Sequence, residues 1–358
     1  MADARLAIDI GGTFTDIVVE SGPTLETTKV ATTPDAPEKA IFSGIRQVMK
    51  ETGLKPADFS IIIHGTTLAT NAIIERKGAP TAMLVTDGFR DAVEIAYENR
   101  FEQYDIFMEK PPPLVPRNLR FGITERVDAS GKIQIPMPES VIDDIIPALD
   151  DNNIEAVAVG LMHSYIYPDH EQILREKLTK ARPSMAISLS SEVSPEIREY
   201  ERWSTTIANA YVQPLMSRYL ARLSAELEKI GFKCPLLLMT SGGGLTSLQT
   251  AIKFPIRLVE SGPAGGAILA SHLARENGLE RVVSFDMGGT TAKICLIDDG
   301  KPLQSRSFEV ARQYRYLKGS GLPLRIPVIE MVEIGAGGGS IARVDNLSRI
   351  LVGPDSAG

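Results

Sequence analysis

The chain has 358 residues, of which 43% are hydrophobic and 23% charged, and its formal net charge is −7. This composition is that of a globular protein of two or three domains, and the negative charge argues against a general nucleic-acid-binding surface. No apolar run reaches membrane-spanning length, so we expect no membrane insertion. Cys234 and Cys295 stand in apolar segments and are expected to be free thiols in a reducing compartment, which predicts a cytoplasmic protein.

The first predicted element is a β-hairpin whose turn contains two glycines. An apolar run ends at Asp9, Gly11 and Gly12 follow, and a second apolar run begins around Thr13 and Thr15. Glycines can adopt positive φ and let the backbone approach a bulky anion, which the N–H groups of such a turn can bind. The threonine hydroxyls add donors, and Asp9 is placed to hold a hard cation. The turn therefore has the parts for a phosphate and its Mg²⁺, although an ordinary tight hairpin explains a single copy equally well.

Three strands and a helix are predicted to open the chain. The strands cover residues 6–10, 14–20 and 25–31, and the helix begins around residues 35–38, with a proline near its start. This order is typical of the start of a ribonuclease-H-like domain.

A second informative segment follows, where an apolar strand is predicted to end at His64 and a helix to open at the next threonines. Helix N-termini bind anions, and the carboxyl end of a strand is a favoured ligand site in α/β sheets. His64, Thr66, Thr67 and Asn71 are therefore candidate site residues. The alternative is structural, with the threonines as helix caps and His64 as a core histidine with satisfied hydrogen bonds. The helix is predicted to close at residues 75–78, with Gly78 as its C-cap.

The middle of the chain leaves several alternatives open. Residues 97–136 are predicted as an ordered insertion, serving either as a structural loop or in partner contact or substrate closure. His163, His170 and Glu171 fit a metal cluster, but Glu171 and its neighbours also fit the start of a helix. Residues 195–230 are predicted as two helices interrupted at Pro214, with solvated charges. We expect one domain over residues 1–192 and a second over residues 193–358.

The glycine turn has a copy late in the chain. When Asp286 is aligned with Asp9, the glycines Gly288 and Gly289 and the threonine Thr290 match those of the first turn, and Thr291 follows. An internal repeat of this kind is hard to obtain by accident, so the pair favours a phosphate clamp over two unrelated hairpins.

One position differs between the two copies, and two other nucleotide signatures are absent. Lys293 stands where the first hairpin has Asp16, and it either holds phosphate as a point charge or is exposed; we expect exposure. The sequence contains no G-x-x-x-x-G-K-[ST] run and no N-terminal G-x-G-x-x-G between a strand and a helix, so neither a P-loop nor a dinucleotide site is supported.

Paired turns of this form resemble those of the superfamily of actin, sugar kinases and chaperone ATPases. This resemblance implies an α/β fold of ribonuclease-H-like domains with mixed sheets, each offering one turn to the phosphates of ATP. A closer resemblance covers essentially the whole chain, which is identified as a member of the hydantoinase A/oxoprolinase family. The stretches that carry it are residues 9–16, 64–72, 75–78, 86–91, 239–245, 261–266, 286–291 and 330–340.

The family resemblance implies ATP-dependent ring opening of a cyclic amide, such as a hydantoin or 5-oxoproline, through phosphorylation of the amide oxygen. It implies ATP and Mg²⁺ as cofactors, a B-type subunit as partner, and a homo- or hetero-oligomer. The implied site residues are Asp9, Asp286 and His64 for catalysis, with both aspartates as metal ligands; Gly11, Gly12, Thr13, Thr15, Gly288, Gly289, Thr290 and Thr291 for the phosphates; and Thr66, Thr67 and Asn71 for the substrate.

Two other activities fit the same resemblance. One is the ATP-using subunit of an acetone- or acetophenone-type carboxylase, and the other is a nucleotide-dependent switch without substrate turnover. The family's later adenosine-binding Gly-Gly-Ala-Gly stretch has no counterpart here. We therefore expect a C-terminally truncated chain with an incomplete second domain, inactive on its own.

Overall fold

The structure is a computed structural model that describes residues 3–33, 36–98, 100–289, 291–312, 314 and 317–357. Its strands, numbered in chain order, are β1 (Ala4–Ile10), β2 (Phe14–Ser21), β3 (Thr24–Ala31), β4 (Phe59–Thr66), β5 (Thr81–Thr86), β6 (Arg120–Ile123), β7 (Arg126–Val127), β8 (Ile133–Ile135), β9 (Ala156–Gly160), β10 (Ala186–Leu189), β11 (Leu236–Met239), β12 (Leu245–Ser247), β13 (Arg281–Met287), β14 (Ala292–Asp298), β15 (Lys301–Pro302), β16 (Gln304–Ser305), β17 (Phe308–Val310), β18 (Leu322–Leu324), β19 (Val328–Ile329), β20 (Val332–Ile334), β21 (Ser340–Val344) and β22 (Ile350–Ser356). The α-helices are α1 (Pro37–Thr52), α2 (Leu68–Ile74), α3 (Ala92–Ile95), α4 (Ile145–Asp151), α5 (Asp169–Ala181), α6 (Ser190–Val193), α7 (Glu199–Ile230), α8 (Leu248–Lys253) and α9 (Ser261–Glu276).

The first sheet has six strands in the order β12-β11-β4-β1-β2-β3. β2 pairs antiparallel with β1 and β3, whereas β4 runs parallel to β1 and β11 parallel to β4. Residues of β1 alternate between buried and exposed, and Leu6, Ile8 and Ile10 enter the core with residues of α1 and α7. The three predicted strands and the following helix are confirmed, each strand being longer by one or two residues.

A second sheet, in the order β10-β9-β5-β6, is parallel throughout. The strands predicted around residues 156–161 and 186–189 are present, but they belong to this sheet and not to the first one. The first sheet is instead completed by β11 and β12, which follow residue 193 in the chain. A domain boundary between residues 192 and 193 would therefore divide the strands of the first sheet between two domains. This boundary stays a prediction from the sequence.

A single helix of 32 residues, α7, packs against β9, β10, α2 and α8. The predicted interruption at Pro214 was wrong, because burial of most of the preceding residues stabilises the helix despite the N–H that proline lacks. The prediction of solvated charges was also wrong for Arg202, whose side chain is fully buried. Its guanidinium donates to Leu161 O at 3.0 Å and to Glu196 O at 2.8 Å.

The end of α2 also differs from the prediction. α2 ends at Ile74, with Glu75 as its C-cap, and Gly78 lies beyond that cap. A Cβ on Gly78 would lie 2.2 Å from the ring of Tyr211, so the position needs glycine for close packing.

The third sheet contains β13, β14 and β15, with β20 also paired to β14. Together the sheets and helices confirm the predicted α/β class with mixed sheets. Within the described ranges, no helix combines the length and the apolar character needed to cross a bilayer.

Candidate active site

The two glycine turns form the same structure. In the first, Asp9 pairs across the strands with Asp16, and Gly11 N donates to Phe14 O at 2.9 Å. In the second, Asp286 pairs with Lys293, and Gly288 N donates to Thr291 O at 2.9 Å. Strand register and the closing hydrogen bond therefore both repeat in the alignment of Asp9 with Asp286 that the sequence indicates.

Steric crowding accounts for the glycine at position 11 of the first turn. Gly11 and Gly12 do not have positive φ, so this turn does not use the left-handed conformation that glycine can adopt. A Cβ on Gly11 would lie 3.0 Å from Phe14 O, whereas a Cβ on Gly12 would meet nothing within 4 Å. A Cβ on Gly289 would likewise meet nothing within 4 Å. The tips of both turns are therefore accessible to a bulky anion, with Thr13 exposed beside the first.

The second turn is supported by the glycine-rich segment at residues 335–339. Gly338 N donates to Gly288 O and Gly339 N to Gly289 O, both at 2.9 Å. A Cβ on Gly337 would lie 2.7 Å from the backbone of Gly289, so this segment packs directly on the turn. Thr291 follows the turn and is partly exposed, whereas Thr290 lies outside the described residues.

Thr15 is fully buried and points away from the turn's open side. Its hydroxyl lies 3.0 Å from Thr32 Oγ1, which donates to Gly11 O at 3.0 Å. Thr15 thus holds the turn from inside the protein, and we do not retain it as a phosphate donor.

The carboxylate of Asp9 is exposed, and other acidic groups lie within electrostatic range of it. The side chain is accessible to solvent, yet the surrounding protein crowds it. Partial burial, and then the negative charges of Asp16 and Asp286, raise the pKa of Asp9 above its ordinary value, while Lys29 opposes them. The fold therefore brings the two equivalent aspartates of the repeat within electrostatic reach of each other.

Two glycines from other elements leave room for this carboxylate. Gly65 is the β4 partner of Asp9, and its Cβ would lie 2.8 Å from Asp9 Oδ1. Gly262, in the first turn of α9, would place a Cβ 3.5 Å from both carboxylate oxygens. The positive end of α9 thus lies beside Asp9, where it favours negative charge.

The start of α9 connects the first sheet, α2 and the second hairpin. Ser261 Oγ donates to Thr66 O at 3.2 Å, and Glu260 N donates to Thr70 Oγ1 at 3.1 Å. The carboxylate of Glu260 forms an ion pair with Lys293, and both side chains are largely buried. The predicted exposure of Lys293 was therefore wrong, because it binds a carboxylate at a helix start.

The predicted substrate residues lie at the start of α2. Thr67 Oγ1 donates to Ile10 O at 3.1 Å, and Asn71 Nδ2 donates to Thr67 Oγ1 at 3.4 Å, so both lie next to the first turn. Thr66 is buried, and its hydroxyl accepts from Leu68 N at 3.2 Å, as a helix-capping threonine does. A role in substrate binding for these three residues stays a prediction.

His64 is a core residue with both ring nitrogens in use. The imidazole is fully buried, with Nδ1 3.2 Å from Ile8 O and Nε2 2.8 Å from the hydroxyl of Tyr219. Burial lowers the pKa of His64 to about 4, so the ring is neutral at neutral pH. Because the ring is fully buried and both of its nitrogens have partners, we withdraw His64 from the proposed catalytic residues.

The two other candidate histidines serve structural contacts. His163 Nδ1 lies 2.8 Å from Val127 O, and His170 Nδ1 lies 2.8 Å from a carboxylate oxygen of Glu125. Glu171 and His170 lie in the first turn of α5, and the carboxylate of Glu171 accepts from Leu161 N at 3.0 Å. Among the residues that the structure describes, no three histidine, cysteine or acidic side chains gather as a metal site.

Asp9 and Asp286 nevertheless suit a Mg²⁺ site. This ion commonly uses one or two protein carboxylates and completes its octahedron with water and substrate phosphates. Asp9 and Asp286 are two such carboxylates, next to turns that leave space for phosphate. Gly65 and Gly262 were not predicted as site residues, although Gly262 lies in a run of small residues at 261–266, a composition that allows close backbone approach.

Comparison with known proteins agrees with the motifs. The Hydantoinase/oxoprolinase N-terminal region matches residues 5–181, and Hydantoinase/oxoprolinase matches residues 202–358. The caprolactamase subunit alpha of Pseudomonas jessenii is 35% identical over 99% of this chain and 51% of its own length. For the 5-oxoprolinase 1 of Arabidopsis thaliana the identity is 31%, over 99% of this chain and 29% of that protein.

Solved structures show the same fold. The crystal structure of the ATP-dependent caprolactamase from Pseudomonas jessenii matches with a TM-score of 0.86 and 34% identity, covering 99% of this chain and 51% of that one. The nucleotide-free structure of acetone carboxylase matches with a TM-score of 0.82 and 27% identity, with the same coverage. These matches confirm the actin-like ATPase type of fold, and the chain spans about half the length of the first curated relatives it matches. With family matches over most of its residues, the chain belongs to the hydantoinase/oxoprolinase family.

Proposed function

We propose that the protein to which this chain contributes uses ATP to open a cyclic amide by hydrolysis. The observation that carries the proposal is that Asp286 lies within electrostatic range of Asp9, at the equivalent position of the second of two repeated turns. Relatives named caprolactamase and 5-oxoprolinase act on cyclic amides by name, and one solved relative is described as ATP-dependent. ATP use also agrees with a cytoplasmic location.

In the proposed reaction, the amide oxygen attacks the γ-phosphorus of ATP, and the bond to the β–γ bridging oxygen breaks to release ADP. Water then adds to the activated carbon, and the C–N bond of the ring opens as the nitrogen takes a proton, which leaves an acyl phosphate. A second water hydrolyses this acyl phosphate to the carboxylate and free phosphate. Phosphorylation matters because an unstrained amide resists water, and its oxygen leaves much more readily as phosphate. Mg²⁺ would supply charge neutralisation for the transferring phosphoryl group.

The residues of this chain would act mainly by positioning and electrostatics. Asp9 and Asp286 would hold the metal, while Gly12 and Gly289 would let the backbone approach the phosphates. Thr13 would add a hydroxyl donor, as would Thr290 and Thr291 in the second turn. The start of α9 would offer positive potential near the same phosphates.

The partner is part of the proposal. Relatives carry the names caprolactamase subunit alpha and acetone carboxylase beta subunit. We therefore propose a hetero-oligomer in which a B-type subunit joins this one.

A carboxylase subunit is the second candidate, and the acetone carboxylase match with a TM-score of 0.82 favours it. In a carboxylase, a ketone and bicarbonate would accept the phosphoryl groups in place of an amide. The same clamp could also drive a nucleotide-dependent switch.

One panel separates these functions. The complete enzyme, meaning the product of the whole gene with its B-type partner, is assayed for ATP hydrolysis with hydantoin, 5-oxoproline or caprolactam, with acetone or acetophenone plus bicarbonate, and with a sugar. We expect a cyclic amide to stimulate hydrolysis and the sugar to leave it unchanged. Stimulation by the ketones alone would favour the carboxylase. If none stimulates, while a partner binds in response to ATP, the enzyme assignment fails.

A further inference from the structure

A cavity of 620 Å³ lies at the end of α2 that is away from the first glycine turn. α2 begins beside that turn, where Thr67 donates to Ile10 O. Ile73 in its last turn and Arg76, just beyond its C-cap, line the cavity wall. Small-molecule sites typically measure about 300–1,000 Å³. None of the residues assigned to the candidate active site lines this space, so it is a separate cavity.

Five parts of the chain build its walls, and most of the wall is apolar. The contributions come from α2 and α3, from the proline-rich segment at residues 111–113, from α7, and from the β17–β18 hairpin. The apolar side chains are Ile73, Val93, Leu114, Ile207 and Leu322. Tyr97 and Tyr200, which pack edge to face with ring centres 5.0 Å apart, close one side. A ligand with an apolar body fits these walls.

The charged groups that line the cavity do not balance. Its carboxylates already have partners, since Glu94 pairs with Arg120 at 2.8 Å, and Glu309 accepts from Arg312 at 2.8 Å and from Gly319 N at 2.7 Å.

The lining cations lack such partners. Within the described part of the chain, Arg76, Lys110 and Lys318 have no acidic group in ion-pair range, and Lys110 donates only to Ile95 O, at 3.3 Å. The cavity therefore carries excess positive charge beside apolar walls.

Arg76 is the best placed of these cations. Its backbone has the left-handed φ of 57°, which is uncommon for arginine and strained. Its side chain is partly buried, and this burial lowers the pKa of its guanidinium. A strained, partly desolvated arginine without a carboxylate is well suited to bind one from a ligand, because its planar donors match the two oxygens.

We infer that this cavity binds a small organic carboxylate, with its apolar body against the proline-rich segment and α7 and its carboxylate beside Arg76, Lys110 and Lys318. The inference does not depend on the proposed reaction. If that reaction is correct, opening a cyclic amide produces an amino carboxylate, which is a ligand of this class. The position at the end of α2 would then link occupancy of the cavity to the first turn.

Binding of three matched six-carbon probes to the complete enzyme tests the inference. Isothermal titration calorimetry compares hexanoate with hexanamide and hexylamine, which keep the apolar body and change only the head group. For a ligand of this size we expect hexanoate to bind with a Kd of about 1 mM and the other two at least about tenfold more weakly. Arg76→Gln should weaken hexanoate binding about tenfold, and Arg76→Lys should restore part of it. Lys50→Gln, at the exposed end of α1, is the control and should change nothing.

Three results would overturn the inference. They are equal binding of hexanoate and hexanamide, no saturable binding up to about 10 mM, and unchanged hexanoate binding in a folded Arg76→Gln. If Arg76→Gln does not fold, Lys318→Gln decides in its place: weaker hexanoate binding supports the site, and unchanged binding refutes it. All of these outcomes are independent of ATP hydrolysis, so failure here leaves the proposed function untouched.

Discussion

Replacing Gly65 by alanine should displace the carboxylate of Asp9 without removing it. Gly65 lies in β4 opposite Asp9, and the new Cβ would lie 2.8 Å from Asp9 Oδ1. The next nearest atoms, Asp9 Cγ and Ile8 O, lie at 3.6 and 3.9 Å, which are ordinary contacts. Since the crowded atom ends a flexible side chain, the carboxylate should move by about 0.6 Å, the shift that restores a contact of 3.4 Å.

This displacement should lower activity while stability stays constant or rises. A catalytic group misplaced by about 1 Å can cost about a hundredfold in rate, so we expect kcat to fall about 10- to 100-fold, equivalent to about 1.4–2.7 kcal/mol. Alanine in a strand interior is more favourable than glycine by about 0.5–1 kcal/mol, which opposes any small strain.

The assay is substrate-stimulated ATP hydrolysis by the complete enzyme, with urea unfolding measured in parallel. Gly262→Ala, whose Cβ would touch the carboxylate at 3.5 Å, should lose only a few-fold, about 1 kcal/mol or less. Gly266→Ala, with nothing within 4 Å of its Cβ, is the control and should keep wild-type activity. A folded Gly65→Ala enzyme with the wild-type rate would refute the placement of Asp9 at the reacting centre.

Three further predictions follow from the site's charges and hydrogen bonds. Because crowding and neighbouring acids raise the pKa of Asp9, its ionised form destabilises the folded chain. Asp9→Asn should therefore raise Tm at pH 7 without nucleotide, and this gain should vanish as the pH falls below the ordinary carboxyl pKa of 3.8. A lower Tm of Asp9→Asn at pH 7 would contradict this reasoning. The ion pair between Lys293 and Glu260 is largely buried, so a double-mutant cycle of Lys293→Met and Glu260→Gln in urea unfolding should give a coupling of about 1–3 kcal/mol, and additive losses would show that the pair contributes nothing. Tyr219→Phe leaves His64 without its Nε2 partner and should destabilise the fold by about 1–3 kcal/mol with kcat unchanged; a loss of kcat at constant stability would return His64 to the catalytic residues.

The repeated turns could be predicted because a few consecutive residues determine each of them. An aspartate, two glycines and an apolar strand determine the hairpin, and the match between the two copies places Asp9 and Asp286 in equivalent positions. Strand alternation also gave the boundaries of β1, β2 and β3 to within two residues.

The errors involve partners that are distant in sequence. His64 reads as a ligand at a strand end, and only Tyr219, 155 residues later, shows that it is a core group. Lys293 reads as exposed on its own strand, but Glu260 lies 33 residues earlier. Local propensity breaks the helix at Pro214, whereas burial against two sheets keeps it continuous.

The assembly of the first sheet shows the same limit of prediction from local sequence. The apolar run of β11 predicts a strand, but the pairing of Leu237 with Ile63 of β4 joins segments that lie far apart in the sequence. Gly65 and Gly262 escaped prediction for this reason too, since their contact with Asp9 exists only after the sheet and α9 assemble.

The most direct test of the central claim is the Mg²⁺ dependence of amide-stimulated ATP hydrolysis in Asp9→Asn, Asp286→Asn and the double variant of the complete enzyme. If both aspartates hold one metal ion, each single variant should lose about a hundredfold or more in rate at saturating ATP, and the double variant should lose much less than the product of the two. All three should remain folded. Near-wild-type rates in both single variants, with unchanged Mg²⁺ dependence, would contradict the claim that the paired aspartates form the metal site.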